Sequence, residues 1–139
     1  MNGSQKLLII GLGKMGGSLL ERLISERLLN IEISVIEPNL NETNKDLVVK
    51  NTNHYSSIDE INTFDFDVVI FAIKPQIMRE VCEQISLLFN GKYFSIISIL
   101  AGIKIKTFGL SLHKHFKPGL SSVISNNDYP KRIRLGFIL

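Results

Sequence analysis

Apolar residues in the first 36 positions change their spacing twice. Residues 6–10 (KLLII) are almost wholly apolar, which is typical of a strand buried on both faces of a parallel sheet. From Lys14 onward, apolar residues recur every four positions and charged residues take the other side, which predicts an amphipathic helix. Residues 31–36 (IEISVI) are rich in β-branched side chains and precede a turn at 37–39 (EPN), so we expect a second strand.

The middle of the chain repeats this alternation less regularly. We expect a modest helix at 42–50, a short strand or turn within 51–57, and a helical turn at 59–62. Residues 67–73 (DVVIFAI) are the strongest predicted strand, and the sequence Lys-Pro ends it. A second amphipathic helix then follows over 77–88, with the proline near its first turn, where proline is tolerated.

One more strand is expected at 93–100 (YFSIISIL), and a short helix is expected after it at 104–112. Strands and helices that alternate at this pitch indicate βαβ units with right-handed crossovers. The expected fold is therefore an α/β domain with a doubly wound parallel sheet. We assign residues 1–116 to it and residues 117–139, which carry no sustained period, to a divergent and loosely attached tail.

Composition excludes several classes of protein. The 139 residues are 45% hydrophobic and 21% charged, which fits one globular domain and excludes a disordered chain. The net charge of +3 comes mostly from late lysines and arginines, and aromatic residues are not interleaved there in a nucleic-acid motif, so we expect no nucleic-acid partner. No apolar run approaches the ~20 residues of a membrane helix. A single cysteine, Cys82, and no visible signal peptide favour the reducing cytoplasm.

The candidate chemistry begins at IIGLGKMGG (9–17), which carries glycines in the spacing G-x-G-x-x-G between a predicted strand and a predicted helix. In a dinucleotide-binding turn, Gly11 makes the tight turn, Gly13 lets a pyrophosphate approach the backbone, and Gly16 lets the helix pack on its strand. The phosphates then lie at the helix N-terminus, beside Lys14. The alternative is a purely structural glycine turn in an α/β protein that binds something else or nothing.

Glu37 follows Gly16 by 21 positions, at the end of the second predicted strand. An acidic residue at this place accepts hydrogen bonds from an adenosine ribose and repels a 2′-phosphate. The sequence therefore predicts a nicotinamide dinucleotide cofactor, either NAD or NADP, with NAD favoured by Glu37.

Two later strand ends add a resemblance to a known family. Together with GLGKMG (11–16), the segments AIKPQ (72–76) and SILAGI (98–103) resemble the amino-terminal domain of pyrroline-5-carboxylate reductase, the last enzyme of proline synthesis, over about residues 6–116. The resemblance implies a Rossmann domain and cofactor contacts at three strand ends. With Glu37, the expected cofactor-binding residues are Gly11, Leu12, Gly13, Lys14, Met15, Gly16, Glu37, Ala72, Ile73, Lys74, Pro75, Leu100, Ala101 and Gly102.

The resemblance implies hydride transfer from NAD(P)H to the C=N bond of 1-pyrroline-5-carboxylate. It also implies a long helical domain that forms the dimer and binds the substrate, and no such pattern follows residue 116, which suggests a truncated or frame-shifted gene. We therefore expect no catalytic residue here, and a small-molecule substrate only if the site is completed elsewhere. The sequence does not predict the oligomeric state. The alternatives are a non-catalytic dinucleotide-binding remnant and another NAD(P)-dependent dehydrogenase, such as a 3-hydroxyacid dehydrogenase.

Other residues that could carry chemistry are better explained structurally. His113 and His115 are two positions apart and do not share a helix face, so we expect no metal site. Cys82 has core-like neighbours and is expected to be packed rather than nucleophilic. Asp65 and Asp67 flank a strand entry and are expected to shape that turn rather than act as paired catalytic carboxylates.

Overall fold

The computed structural model describes residues 3–27, 30–88 and 94–99 in full and the backbone of residues 133–137. Six parallel strands form one sheet in the order β3-β2-β1-β4-β5-β6. The strands are β1 Gln5–Ile10, β2 Ile31–Ile36, β3 Asn53–Tyr55, β4 Val68–Phe71, β5 Phe94–Ser98 and β6 Ile133–Phe137. The α-helices are α1 Lys14–Ser25, α2 Glu42–Asn51 and α3 Met78–Leu88, and single 3₁₀ turns occur at Ile58–Glu60 and Pro75–Ile77.

Strand β1 is the point at which the chain changes direction across the sheet. Its neighbours are β2 on one side and β4 on the other, so the carboxyl ends of β1 and β4 flank the topological switch point. Ligands of open α/β sheets bind in the crevice outside the strand ends at this place. The predicted doubly wound parallel fold is confirmed.

Both faces of β1 are buried, as the nearly continuous apolar run predicted. Leu8 and Ile10 face one apolar cluster, which includes the buried side of α3. Leu7 and Ile9 face a second cluster, to which α1 contributes Leu20. The two clusters hold helices against opposite faces of the sheet.

The smaller predicted elements occur close to their expected positions. The helix expected at 42–50 is α2, and Asn41 caps it by accepting a hydrogen bond from the Asn44 N–H at 2.9 Å. The helical turn expected at 59–62 begins one residue earlier, where Ser57 accepts from the Asp59 N–H at 3.2 Å. The strand expected at 67–73 is shorter, because β4 covers only Val68–Phe71. The helix expected at 104–112 lies outside the described residues.

Strand β6 corrects one expectation. Residues 117–139 are expected to form a loosely attached tail without a sustained period, yet Ile133–Phe137 pairs in parallel with all five residues of β5. The sequence signal is short, because apolar residues alternate with Arg134 and Gly136 over only five positions. The boundary between residues 116 and 117 stays a prediction.

Asp65 and Asp67 join the start of β4 to the start of β1. The Lys6 N–H donates to Asp67 Oδ2 at 2.8 Å, and Lys6 Nζ lies 2.7 Å from Asp65 Oδ2. The Asp67 N–H donates to the Lys6 carbonyl at 2.8 Å. Both carboxylates therefore shape the strand entry, as expected, at the end of the sheet opposite the switch point.

Candidate functional site: a cleft at the carboxyl ends of the strands

Two of the three glycines are required by the chain's own packing. Gly11 has a φ of +92°, and a Cβ on it would lie 2.6 Å from the Ala72 carbonyl oxygen. A Cβ on Gly16 would lie 2.5 Å from the Gly11 carbonyl oxygen. These contacts bring the turn, the start of α1 and the end of β4 together, as the motif predicts for its first and third glycines.

Gly13 differs from the other two glycines, because a Cβ built on it meets no atom within 4 Å. Its φ of −64° is one that any residue adopts. The protein's own packing therefore does not require glycine here, and the backbone at Gly13 is open to a ligand that approaches closely. This openness is what a pyrophosphate would need.

The N-terminus of α1 lies directly after this open backbone. Gly13 is the N-cap and provides no side-chain cap, and the first turn contains no acidic residue. The Gly17 N–H donates to the Gly13 carbonyl at 2.8 Å, so the N–H groups of residues 14–16 precede the first intrahelical donor. Such N–H groups and the helix dipole favour an anion, and the exposed Lys14 adds positive charge.

Glu37 connects the end of β2 to the glycine turn. Its Oε2 accepts a hydrogen bond from the Leu12 N–H at 2.7 Å, and its Oε1 accepts from the Asn39 N–H at 2.9 Å. The Glu37 N–H donates to the Tyr55 carbonyl at 3.0 Å, and His54 Nε2 lies 3.0 Å from the Glu37 carbonyl oxygen. Since each carboxylate oxygen has a second lone pair, Glu37 can still accept hydrogen bonds from ligand hydroxyls.

A cleft of about 680 Å³ runs along these strand ends, which is within the ~300–1,000 Å³ typical of ligand pockets. Seven of the predicted site residues line it: Gly11, Leu12, Gly13, Glu37, Ala72, Ile73 and Lys74. The other predicted residues that the structure describes, Lys14, Met15, Gly16 and Pro75, adjoin these in sequence and are not part of the lining. Leu100, Ala101 and Gly102 lie outside the described residues.

Sequence reasoning missed one wall of the cleft. Ile77, Glu80, Val81 and Gln84 line it from the first turns of α3 and the 3₁₀ turn before them. Their spacing of three, four and seven residues places them on one helix face, and this spacing was the available signal. Ser56 and Ser57, which directly follow β3, also line the cleft.

The charges of the cleft are unevenly distributed. Of its described lining residues, Glu37 and Glu80 carry carboxylates and Lys74 is the one with a cationic side chain. Lys74 is exposed and stands at the end of the Ala72–Pro75 segment, at the turn before α3. Within the described lining, the groups that would favour an anion are therefore backbone N–H groups rather than a cluster of basic side chains.

Cys82, Asp65 and Asp67, the described residues that the sequence analysis discounted, do not line the cleft. Cys82 is fully buried, which confirms the prediction that it is packed rather than nucleophilic. Burial, with a smaller effect of the Glu83 charge, raises the pKa of its thiol to about 12. Within the described part of the chain, no three His, Cys, Asp or Glu side chains group as metal ligands. None of the described helices is long and apolar enough to cross a membrane. His113 and His115 lie outside the described residues.

A parallel sheet with a glycine turn and a helix N-terminus at its switch point defines the class of dinucleotide-binding α/β domains. The comparison with family models agrees with this class. Residues 6–102 match the model described as NADP oxidoreductase, coenzyme F420-dependent, and the chain belongs to this family.

Individual relatives confirm the resemblance to pyrroline-5-carboxylate reductase. The chain is 32% identical over 109 residues to that enzyme from Methanosarcina acetivorans, covering 76% of this chain and 38% of the relative. A pyrroline carboxylate reductase structure from Plasmodium falciparum, with NADP bound, matches with 27% identity and a TM-score of 0.57, covering 78% of this chain and 38% of that one. The chain thus spans about two fifths of the length of these relatives.

More distant structures share the fold. The pyrroline-5-carboxylate reductase of Coxiella burnetii matches with a TM-score of 0.66 and 22% identity, covering 80% of this chain and 40% of that one. The prephenate dehydrogenase of A. aeolicus, in complex with hydroxyphenyl propionate and NAD+, matches with a TM-score of 0.64 and 21% identity, covering 83% of this chain and 41% of that one.

Proposed function

We propose that this chain supplies the cofactor side of a pyrroline-5-carboxylate reductase-like oxidoreductase. The observation that carries the proposal is the open backbone at Gly13, directly before the uncapped N-terminus of α1 and beside the Glu37 carboxylate. The similarity to pyrroline-5-carboxylate reductases supports the substrate, 1-pyrroline-5-carboxylate. When bound, the reduced nicotinamide supplies the hydride to the C=N carbon, and a proton on nitrogen completes the proline amine.

The chain's own residues bind and orient the cofactor in this proposal. The N–H groups at the start of α1 hold the pyrophosphate, and Glu37 accepts hydrogen bonds from the adenosine ribose. The end of β4, from Ala72 to Pro75, holds the nicotinamide half. The proposal assigns no catalytic acid or base to the described residues; a substrate pocket would be completed elsewhere.

The same residues favour NADH over NADPH in this proposal. A 2′-phosphate would approach the Glu37 carboxylate, whose position is fixed by two backbone N–H groups. Coulomb repulsion opposes that approach, and Lys74, at the other half of the cleft, does not offset it. The relative from Plasmodium falciparum was solved with NADP bound, so the preference for NADH has to be tested in the present chain itself.

The test is titration of the purified chain with NADH and with NADPH, followed by nicotinamide fluorescence and calorimetry. We expect saturable binding with NADH preferred, and weaker binding of both by Gly13→Ala. A folded chain that binds neither cofactor would overturn the proposal. Assays for proline formed from 1-pyrroline-5-carboxylate then separate the two remaining forms: turnover indicates a complete reductase, whereas binding without turnover indicates a cofactor-binding module.

A further inference from the structure

The cleft wall formed by α3 is not assigned to phosphates or ribose in the function proposed above, and it lies on the same side of the sheet as the end of β3. Ile58 follows β3, and its side chain packs in the same apolar cluster as Val81 of α3. Strand β3 pairs with β2, whose end carries Glu37. The α3 wall therefore lies next to Ile58, on the side of the cleft where β2 and β3 end.

This part of the cleft combines an apolar floor with an exposed apolar side chain. Ile58 and Val81 are 4% and 7% exposed, whereas Ile77 at the cleft edge is 44% exposed. An isoleucine left this open beside buried aliphatic side chains offers a surface that a flat apolar ring would cover. Ligand pockets use such surfaces for binding and a few polar groups for orientation.

Two polar residues of α3 also line the cleft. Glu80 and Gln84 are four residues apart on α3, so they are neighbours on the helix face that lines the cleft. The Glu80 carboxylate only accepts hydrogen bonds, whereas the Gln84 carboxamide both donates and accepts. Together they match a ring that presents an amino donor next to a ring-nitrogen acceptor.

Adenine has this pattern, because its exocyclic N6 amino group donates and the ring nitrogens beside it accept. Hypoxanthine differs at the same edge, where an O6 acceptor replaces the amino group and N1 carries a proton. Resting on the function proposed above, we propose that Glu80 accepts a hydrogen bond from the N6 amino group of the dinucleotide's adenine and that Gln84 donates one to the neighbouring ring nitrogen. Hypoxanthine is then bound less tightly, because its O6 acceptor would face the Glu80 carboxylate. Ile77 contributes apolar contact to either base.

The test compares NADH with reduced nicotinamide hypoxanthine dinucleotide, which differs from NADH at that edge of the base alone. The wild-type chain is expected to bind NADH about tenfold more tightly, which is the order expected for one hydrogen bond to a charged acceptor. Glu80→Gln replaces the acceptor by an amide that can turn to suit either base, so the ratio of the two dissociation constants should fall to about twofold or less. Because Glu80 is exposed, this variant is expected to fold, and circular dichroism checks it.

Two further variants distinguish selection between the two bases from a general loss of affinity for both dinucleotides. Glu21→Gln makes the same chemical change at an exposed position of α1 outside the cleft, and should leave the ratio unchanged. Ile77→Ser should weaken both dinucleotides by the same factor. Equal wild-type affinities, or a ratio in Glu80→Gln equal to that of the wild type, would overturn the base-reading role while the proposed function stands. A folded wild-type chain that binds neither dinucleotide would overturn both.

Discussion

The Glu37 carboxylate and the Leu12 N–H are joined by a hydrogen bond of 2.7 Å, which ties the end of β2 to the glycine turn of β1. The bond connects two parts of the proposed site, the acidic residue for the ribose and the turn for the phosphates. A second bond, from the Asn39 N–H to the other carboxylate oxygen, fixes the orientation of the group. Substitutions at Glu37 should therefore alter the turn as well as cofactor choice.

Glu37→Gln separates these two effects. The carboxylate accepts from two N–H groups, whereas an amide has one acceptor oxygen and would direct its NH₂ group at one of the two donors. We expect a loss of about 1–2 kcal/mol in the free energy of unfolding, measured by urea denaturation. An unchanged stability would show that neither hydrogen bond persists in solution.

Glu37→Ser tests cofactor choice directly. The substitution removes the negative charge and leaves room for a 2′-phosphate beside the Leu12 N–H. We expect the ratio of NADPH to NADH affinity to rise by about tenfold or more, measured by fluorescence titration. The matched control is Glu32→Ser, because Glu32 lies within β2 and outside the cleft, and the ratio should not change in this variant. A ratio that stays constant in Glu37→Ser would remove Glu37 from cofactor selection.

Gly13→Ala and Gly11→Ala are expected to give opposite kinds of variant. An alanine Cβ at Gly13 meets no protein atom, so stability should change by no more than about 1 kcal/mol, while dinucleotide affinity falls because the methyl group occupies the approach of the phosphates. At Gly11, the φ of +92° and the contact with the Ala72 carbonyl should cost more than about 2 kcal/mol. Urea denaturation and NADH titration of both variants provide the two measurements. Equal destabilisation would contradict the distinction between a structural and a ligand-facing glycine.

The sequence predicted the β1-turn-α1 unit and Glu37 because their signals are local. The apolar run, the three glycines and the change of hydrophobic period lie within 25 residues, and each feature by itself predicts one local structure: a buried strand, a tight turn and an amphipathic helix. The hydrogen bond between Glu37 and Leu12 was not predictable in this way, since it depends on β1 and β2 pairing in register from Gln5 and Ile31.

The α3 wall and β6 were missed for different reasons. Glu80 and Gln84 have the spacing of an ordinary polar helix face, and only the fold shows that this face borders a cleft. Strand β6 is five residues long and pairs with β5 from more than 30 positions away, so no local pattern identifies its partner. Long-range pairing is what short-window periodicity cannot predict.

Asp67 and Asp65 should differ in their contribution to stability although both contact Lys6. Asp67 accepts from the Lys6 backbone N–H at the entry to β1, whereas the Lys6–Asp65 ion pair is about 40% exposed on each side. We expect Asp67→Ala to cost about 1–2 kcal/mol and Asp65→Ala less than about 1 kcal/mol in urea denaturation. NADH affinity should be unchanged in both, because the contact is at the opposite end of the sheet. An equal cost for the two variants would contradict this assignment.

Cys82 should make the stability of the protein fall at alkaline pH. Burial raises the pKa of its thiol from 9.0 to about 12, so between these values the folded state keeps a proton that the unfolded state releases. Stability is then fully present below pH 9 and declines as pH rises, by up to about 1.4 kcal/mol per unit. Lysine and tyrosine residues also titrate in this range, so the measurement is the difference in urea stability between wild type and Cys82→Ala at pH 8 and pH 10.5. The difference should shrink at the higher pH, and a pH-independent difference would mean that the thiol is not shielded from solvent as the structure shows.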